Sequence, residues 1–266
     1  MTQPLFANAP SIWPVDAPRA VLIGRVWLPG TGPVLVRVQP DGVYDLSALA
    51  PTCSELLELP GAAQRVCALA APRLADMATV LAAPFAATLC GDMGAEVTKL
   101  ELPDVSDTLR HMLPVMGEHS LFWKVTNRGK RGITLDVRKP EGRALLLKML
   151  PRYDVLVENF RTGTLDRWGL DLHTLHAHNP DLIVLRLTGF GQTGPYARRP
   201  GFARIFEAMS GFAHLTGEGG GSPQHMNDPL GDVVSGVFGA FSIATALVGR
   251  ARSSPDAPRG CEIDLA

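Results

Sequence analysis

The segment Asp154–Gly169, DVLVENFRTGTLDRWG, sets an apolar run, Val155-Leu156-Val157, directly before a polar loop at Glu158-Asn159. The run reads as a strand buried on both faces. Thr162-Gly163-Thr164 then marks the start of a helix. In an open α/β sheet, ligands sit where the carboxyl end of a strand leads to a helix amino end. The free N–H groups of that helix end attract phosphate. Asn159 offers an amide to hydrogen-bond a ligand and Phe160 a flat face to stack on, while Arg161 and Arg167 offer charges for phosphate. An ordinary strand–loop–helix corner would use the same residues.

Outward from this corner, strands and helices alternate. Upstream, strand-like 74–77 precedes a helix over 82–91, with Pro84 in its first turn and Gly91 and Gly94 at its end. Strand 96–101, a long loop over 102–126 that carries Trp123, strand 132–136 and helix 140–150 follow. Downstream come helix 171–178, strand 182–188, helix 203–210, a glycine-rich loop, an apolar helix over 231–251 and a last strand at Glu262–Asp264. Such alternation predicts an open, largely parallel α/β sheet. The front of the chain differs. Residues 1–18 read as an extended arm, and residues 19–70 as a small β-rich unit. In it, strands 20–28, 34–38 and 42–46 are split by turn signals at Pro29–Pro33 and Pro40–Gly42, and 53–60 reads as a short helix. Residues 71–266 form the larger domain.

A formal net charge of -1 argues against nucleic acid and against a polybasic membrane contact. Cys53, Cys67, Cys90 and Cys261 are scattered without a CxxC pair, which suits reduced thiols in the cytoplasm. No basic start or apolar leader is seen at the front. The apolar run Val233–Gly249 carries Ser235, Ser242 and Thr245 and reads as a buried helix rather than a membrane span.

Several motifs compete for a chemical role. Gly189–Gly194, GFGQTG, follows a strand, but Pro195 and Pro200 stand where a dinucleotide fingerprint needs a helix. Gly217–Ser222 lacks the GK[ST] of a phosphate loop. His173, His176 and His178 read as surface histidines, because no Cys or carboxylate cluster completes a zinc site. Asp232, in PLGDVVSG, stands at the amino end of the apolar helix. It suits a helix cap and an ionised functional group equally. Gly231 and Gly236 beside it would let a bulky ligand approach the backbone.

Taken together, LAAPFAATLCGDMGAEVTKLE, TNRGKRGITLDVRKPEGR, DVLVENFRTGTLDRWGL, NPDLIVLRLTGFGQTGPY and PLGDVVSG resemble the family III CoA-transferases, the CaiB/BaiF group, over roughly residues 73–266. The resemblance implies a Rossmann-like large domain, an intertwined homodimer, and coenzyme A or acyl-CoA as substrate, with a carboxylic acid as acceptor. It implies no permanently bound cofactor and no metal. Leu135, Arg138, Asn159, Phe160, Arg167 and Trp168 fall at positions that contact CoA in that family, and Asp232 matches the aspartate that becomes acylated. Leu81, Leu102, Ala203 and Glu207 depart from common family residues, which bears on the acceptor pocket. Phe202 stands where related racemases carry a histidine, and it cannot move protons.

Residues 19–60 instead resemble the N-terminal domain of the fumarylacetoacetate hydrolase family, in RAVLIGRVWLPGTGPVLVRVQPDGVYDLSALAPTCSELLE. No acidic metal cluster accompanies that piece. The family III pattern continues beyond the strand at Glu262, so a truncated or fused chain is expected. That chain would be either a transferase or an inactive remnant or partner of a full-length relative.

Overall fold

The structure, a computed structural model, describes residues 22–28, 32–39, 42–47, 49, 71–252 and 259–266. The expected arm over 1–18 and helix over 53–60 lie outside these. The chain divides into two compact units, one of residues 1–71 with 92–95 and one of 72–91 with 96–266.

In the first unit, β1 (Leu22–Leu28), β2 (Gly32–Gln39) and β3 (Gly42–Asp45) form a three-stranded antiparallel sheet in that order. Val34 pairs with Val26, and Val38 with both Leu22 and Val43. Val34, Val36 and Val43 make a small buried cluster with Val38 against it. Leu35 and Leu46 are also buried, and the Leu46 N–H bonds the Leu35 carbonyl at 2.8 Å.

The second unit is built on a six-stranded sheet. Its strands are β4 (Arg73–Asp76), β5 (Glu96–Glu101), β8 (Arg131–Thr134), β9 (Val155–Glu158), β10 (Ile183–Leu187) and β11 (Cys261–Leu265). They lie in the order β8-β5-β4-β9-β10-β11, and every neighbouring pair is parallel. The chain works outward from β4 to β8, returns to the middle, and works outward again from β9 to β11. That is the doubly wound order, with its reversal between β4 and β9. β9 and β10 are buried along their whole lengths, as a strand covered on both faces requires.

The crossovers position the site. Helix α1 (Ala82–Asp92) follows β4 and is made of small residues, with Ala82, Ala83, Ala86 and Ala87 buried. Between β5 and β8 the expected loop is in fact structured. It holds a hairpin of β6 (Val115–Met116) and β7 (His119–Ser120), then α2 (Leu121–Thr126) with Trp123 on it. The Ser120 hydroxyl caps α2 at the Trp123 N–H, and the Arg110 guanidinium stacks 3.6 Å from the Trp123 ring centre. Elements this short carry no periodicity to read. Helix α3 (Pro140–Met149) precedes β9; α4 (Thr164–Arg167) and α5 (Leu172–His178) precede β10. Helices α6 (Ala203–Met209), α7 (Phe212–Thr216) and α8 (Leu230–Arg252) precede β11.

Helix α8 corrects the expectation of a buried helix. Only Gly236, Gly239, Ala240 and Ile243 are buried on it. Gly239 faces Ala86 and Leu185, so that stripe packs on α1 and the sheet. Phe238 and Phe241 on the other side are 57% and 67% exposed. Apolarity alone did not reveal how little of the helix is covered. By length and composition the helix could cross a membrane, but its glycine stripe is a layer contact.

Candidate functional site

The reversal point of the sheet opens into a cleft of about 380 Å³. Thr79–Ala82 line it from the β4 side and Asn159–Thr162 from the β9 side. Phe202, Phe206, Asp232 and Ser235 close it from α6 and α8. Arg161 and Arg199 also line it.

Asn159 sits at the centre of the reversal. Its Oδ1 accepts the Thr79 N–H at 2.8 Å, and its Nδ2 donates to the Thr79 carbonyl at 2.8 Å. The amide that was expected to meet a ligand therefore joins the ends of β4 and β9. Phe160 lines the cleft and meets Trp168 edge-on, with ring centres 5.0 Å apart. Its N–H donates to Glu158 Oε2 at 2.8 Å. Glu158 is buried at the end of β9, and that burial lifts its carboxyl to about 7 against the pull of the Phe160 N–H and of Arg186 at 3.4 Å.

The expected phosphate-binding helix end is a single turn. Helix α4 has four residues, follows Gly163 in the left-handed region, and its first N–H already bonds the Arg161 carbonyl at 2.9 Å. So short a helix supplies little dipole. Arg167 is exposed and donates to the Thr164 hydroxyl at 2.9 Å.

Leu135, Phe160 and Trp168 pack against one apolar cluster around Leu156, Leu165 and Leu170. Arg138 donates to both Asp136 oxygens, at 2.7 and 2.9 Å, and lies 3.4 Å from Asp104. This pairing holds the Asp136 carboxyl below the usual carboxylate range. Leu135, Arg138, Arg167 and Trp168 stand outside the cleft wall, whereas Asn159, Phe160 and Asp232 share it. Phe160 links the two groups.

Asp232 is the third residue of α8 rather than its cap, since the Val233 N–H bonds the Pro229 carbonyl. The N–H of Ala82, the first residue of α1, stands near enough to its carboxylate to pull its proton affinity down. Burial raises its proton affinity above the ordinary range in spite of that donor, and Glu207 adds to the rise. Glu207 is itself buried, 2.8 Å from His225 Nδ1. Gly236 does not make room for a ligand. A Cβ there would stand 2.7 Å from Phe85 Cδ1 and 2.9 Å from the Ala82 carbonyl oxygen, so it lets α1 and α8 meet.

The GFGQTG turn has a packing role as well. Added Cβ atoms at Gly189 and Gly201 would fall 2.4 and 2.3 Å from Phe206 Cζ, so the two glycines hold that ring between them. His176 bonds the Leu182 carbonyl at 2.9 Å and His178 the Thr174 carbonyl at 3.0 Å. Among the described residues no cluster of His, Cys, Asp or Glu is placed to hold a metal.

The family model for CoA-transferase family III matches residues 69–266. The chain belongs to that family. It is 38% identical over 255 residues to the succinyl-CoA–L-malate CoA-transferase alpha subunit of Chloroflexus aurantiacus, covering 95% of this chain and 53% of that protein. To the beta subunit from the same organism it is 44% identical over 200 residues, covering 74% and 48%. A crystal structure of a CaiB/BaiF family protein from Brucella suis superimposes with a TM-score of 0.68 at 39% identity, covering 73% of this chain and 52% of that one. The chain thus spans about half the length of the curated relatives it matches. Because the alpha-subunit match takes in nearly all of this chain, most of the front unit has a counterpart in that relative. The expectation of a front end foreign to the family gains no support.

Two residues of the site escaped the sequence reading: Val80, in the cleft wall with φ at 63°, and Asp107, whose carboxylate accepts the Val80 N–H. Nothing in the local pattern around either one marks it.

Proposed function

We propose that this chain carries the acylation site of a CoA-transferase that moves CoA from an acyl-CoA thioester to a carboxylic acid. The observation behind this is the carboxylate of Asp232 set in one cleft with Asn159 and Phe160, at the reversal point of a doubly wound sheet. The Asp232 carboxylate attacks the thioester carbonyl and expels CoA thiolate, leaving a mixed anhydride. The thiolate attacks the aspartyl carbonyl, releases the first acid and leaves aspartyl-CoA. The acceptor carboxylate then attacks the aspartyl thioester and expels thiolate again. Thiolate takes the acceptor's acyl group and restores Asp232. Each step exchanges one acyl bond for another, so the route divides one exchange into easier ones and calls for no redox or metal cofactor.

CoA would lie along Leu135–Arg138 and Asn159–Trp168, with Arg138 or Arg167 near its phosphates. The relatives named succinyl-CoA–L-malate and succinate–glutarate CoA-transferases support a dicarboxylate donor or acceptor. Residues 71–266 act as part of the large domain and residues 19–70 as a separate small unit. The complete enzyme is a cytoplasmic, intertwined homodimer that binds neither nucleic acid nor membrane.

A second reading has a specific support in the exposed face of α8 and the half-length match. On that reading the chain works only with a partner subunit. Intact-mass measurement after incubation with succinyl-CoA tests the proposal. A covalent CoA adduct is expected, and Asp232→Asn should abolish it while CoA binding persists. An adduct retained in Asp232→Asn would exclude this residue as the nucleophile.

A further inference from the structure

Val80 is the one non-glycine residue with positive φ among the described residues, and it is β-branched. A side chain of that kind in the left-handed region is strained by about 1–3 kcal/mol and stays there only when its surroundings over-determine it. Here they do. Three consecutive residues are held by side chains. The Asp76 carboxylate accepts the Ala78 N–H at 3.0 Å, and the buried Lys99 ammonium donates to the Ala78 carbonyl. Asn159 holds both polar groups of Thr79. Both oxygens of Asp107 face the Val80 N–H, at 3.0 and 3.1 Å.

Asp107 lies beyond the end of β5 and its side chain is fully buried. Its charge is matched by Lys99 at 3.3 Å, and its Oδ1 also takes the Leu109 N–H at 3.0 Å. Lys99 stands 3.7 Å from Asp76, which in turn pairs with Lys130 at 2.8 Å. Two carboxylates and two ammonium groups thus form a closed buried set. Removing one member leaves a buried charge without its partner, which is costly.

The turn that this set fixes leads straight to Ala82. We propose that Asp107 is a positioning residue for Asp232, acting through the left-handed turn at Val80 to hold Ala82 on the cleft wall that it shares with the nucleophile. The role rests on the reading of Asp232 as nucleophile. Relaxation of Val80 to negative φ would swing Leu81 and Ala82 along the cleft wall. Asp232 would then lose the nearby N–H that pulls its proton affinity down and keep its buried surroundings, including Glu207.

The test uses the 266-residue chain with ¹³C-labelled aspartate. The Asp232 carboxyl signal is assigned by its loss in Asp232→Asn and followed against pH by NMR. Adduct formation with succinyl-CoA is timed in parallel by intact mass. In Asp107→Asn, Asp232 is expected to titrate at higher pH than in the parent, and adduct formation to slow about 10- to 100-fold. Val80→Pro keeps every buried charge, removes the N–H that Asp107 accepts and fixes φ near about −65°, so it decides the matter where Asp107→Asn does not fold. It should move the titration in the same direction. An unchanged Asp232 titration in the folded variants overturns the proposal. So does a slower adduct rate that only follows the loss of folded protein. If the titration moves but the parent forms no adduct, Asp107 still sets the cleft wall that faces Asp232, and it is the reading of Asp232 as nucleophile in this chain that falls.

Discussion

Asp232 lies in the first turn of α8 and shares the cleft wall with the first residue of α1, and burial still lifts its proton affinity. A carboxylate with few solvating partners is a better nucleophile than one in water, which suits acyl exchange. Glu158 shows the same balance outside the cleft wall. Its carboxyl is raised from 4.5 to about 7, first by burial. Between those two pH values the folded protein holds a proton that the unfolded chain has released. Stability therefore falls as pH rises through this window and stays lower above it, by about 3 kcal/mol in full. Urea midpoints of the parent should drop between pH 5 and 8, and Glu158→Gln should flatten that slope; equal slopes would refute the assignment. Arg167 is exposed and its guanidinium donates to the Thr164 hydroxyl, so it is available to a phosphate. Arg167→Ala should weaken CoA binding by about 1–3 kcal/mol. Titration calorimetry that finds unchanged affinity would move the phosphates elsewhere.

Elements show where sequence reading succeeds and where it stops. β9 was legible because its run of Val155, Leu156 and Val157 is apolar on both faces and ends at a polar turn. The parallel order followed from the alternation of strands and helices. The roles of Asn159 and Gly236 were not legible, since each is set by a partner distant in sequence: Thr79 for one, Ala82 and Phe85 for the other. The turn at Val80 is the same case, because its acceptor, Asp107, lies across the sheet edge in a stretch without periodicity. The contact at Gly236 gives a test at this scale. A methyl group there meets the backbone oxygen of Ala82 as well as the Phe85 ring, and backbone yields less readily than a side chain. Gly236→Ala is expected to cost about 1–3 kcal/mol of stability and to separate α1 from α8 near Asp232. Chemical denaturation measures the first effect and adduct formation the second. A stable variant with full adduct yield would show that the crossing can open without harm.

At the scale of the whole molecule, the exposed face of α8 governs behaviour in solution. Val234, Val237, Phe238, Phe241 and Val248 are all exposed and recur at helical spacing along one side. No charged side chain interrupts the helix between Asp232 and Arg250. Contiguous apolar surface of this kind marks an interaction face or a route to aggregation. The purified chain is therefore expected to sediment as associated species rather than as a monomer. It should form the adduct but turn over slowly by itself, since the second half of the exchange also requires an acceptor held near Asp232, and displacement of about 1 Å can cost about 10²-fold. Replacing Phe238 and Phe241 together by Glu sets two charges in the middle of the face, about 5 Å apart along the helix, without touching the buried glycine stripe. That variant should sediment as a smaller species and keep its thermal transition. Turnover with a panel of dicarboxylic acids separates the remaining possibilities. If the parent is monodisperse, monomeric and active, the face needs no cover and the chain is an enzyme by itself. If the parent gains activity on mixing with a full-length relative and the double variant does not, α8 is the surface through which the two meet.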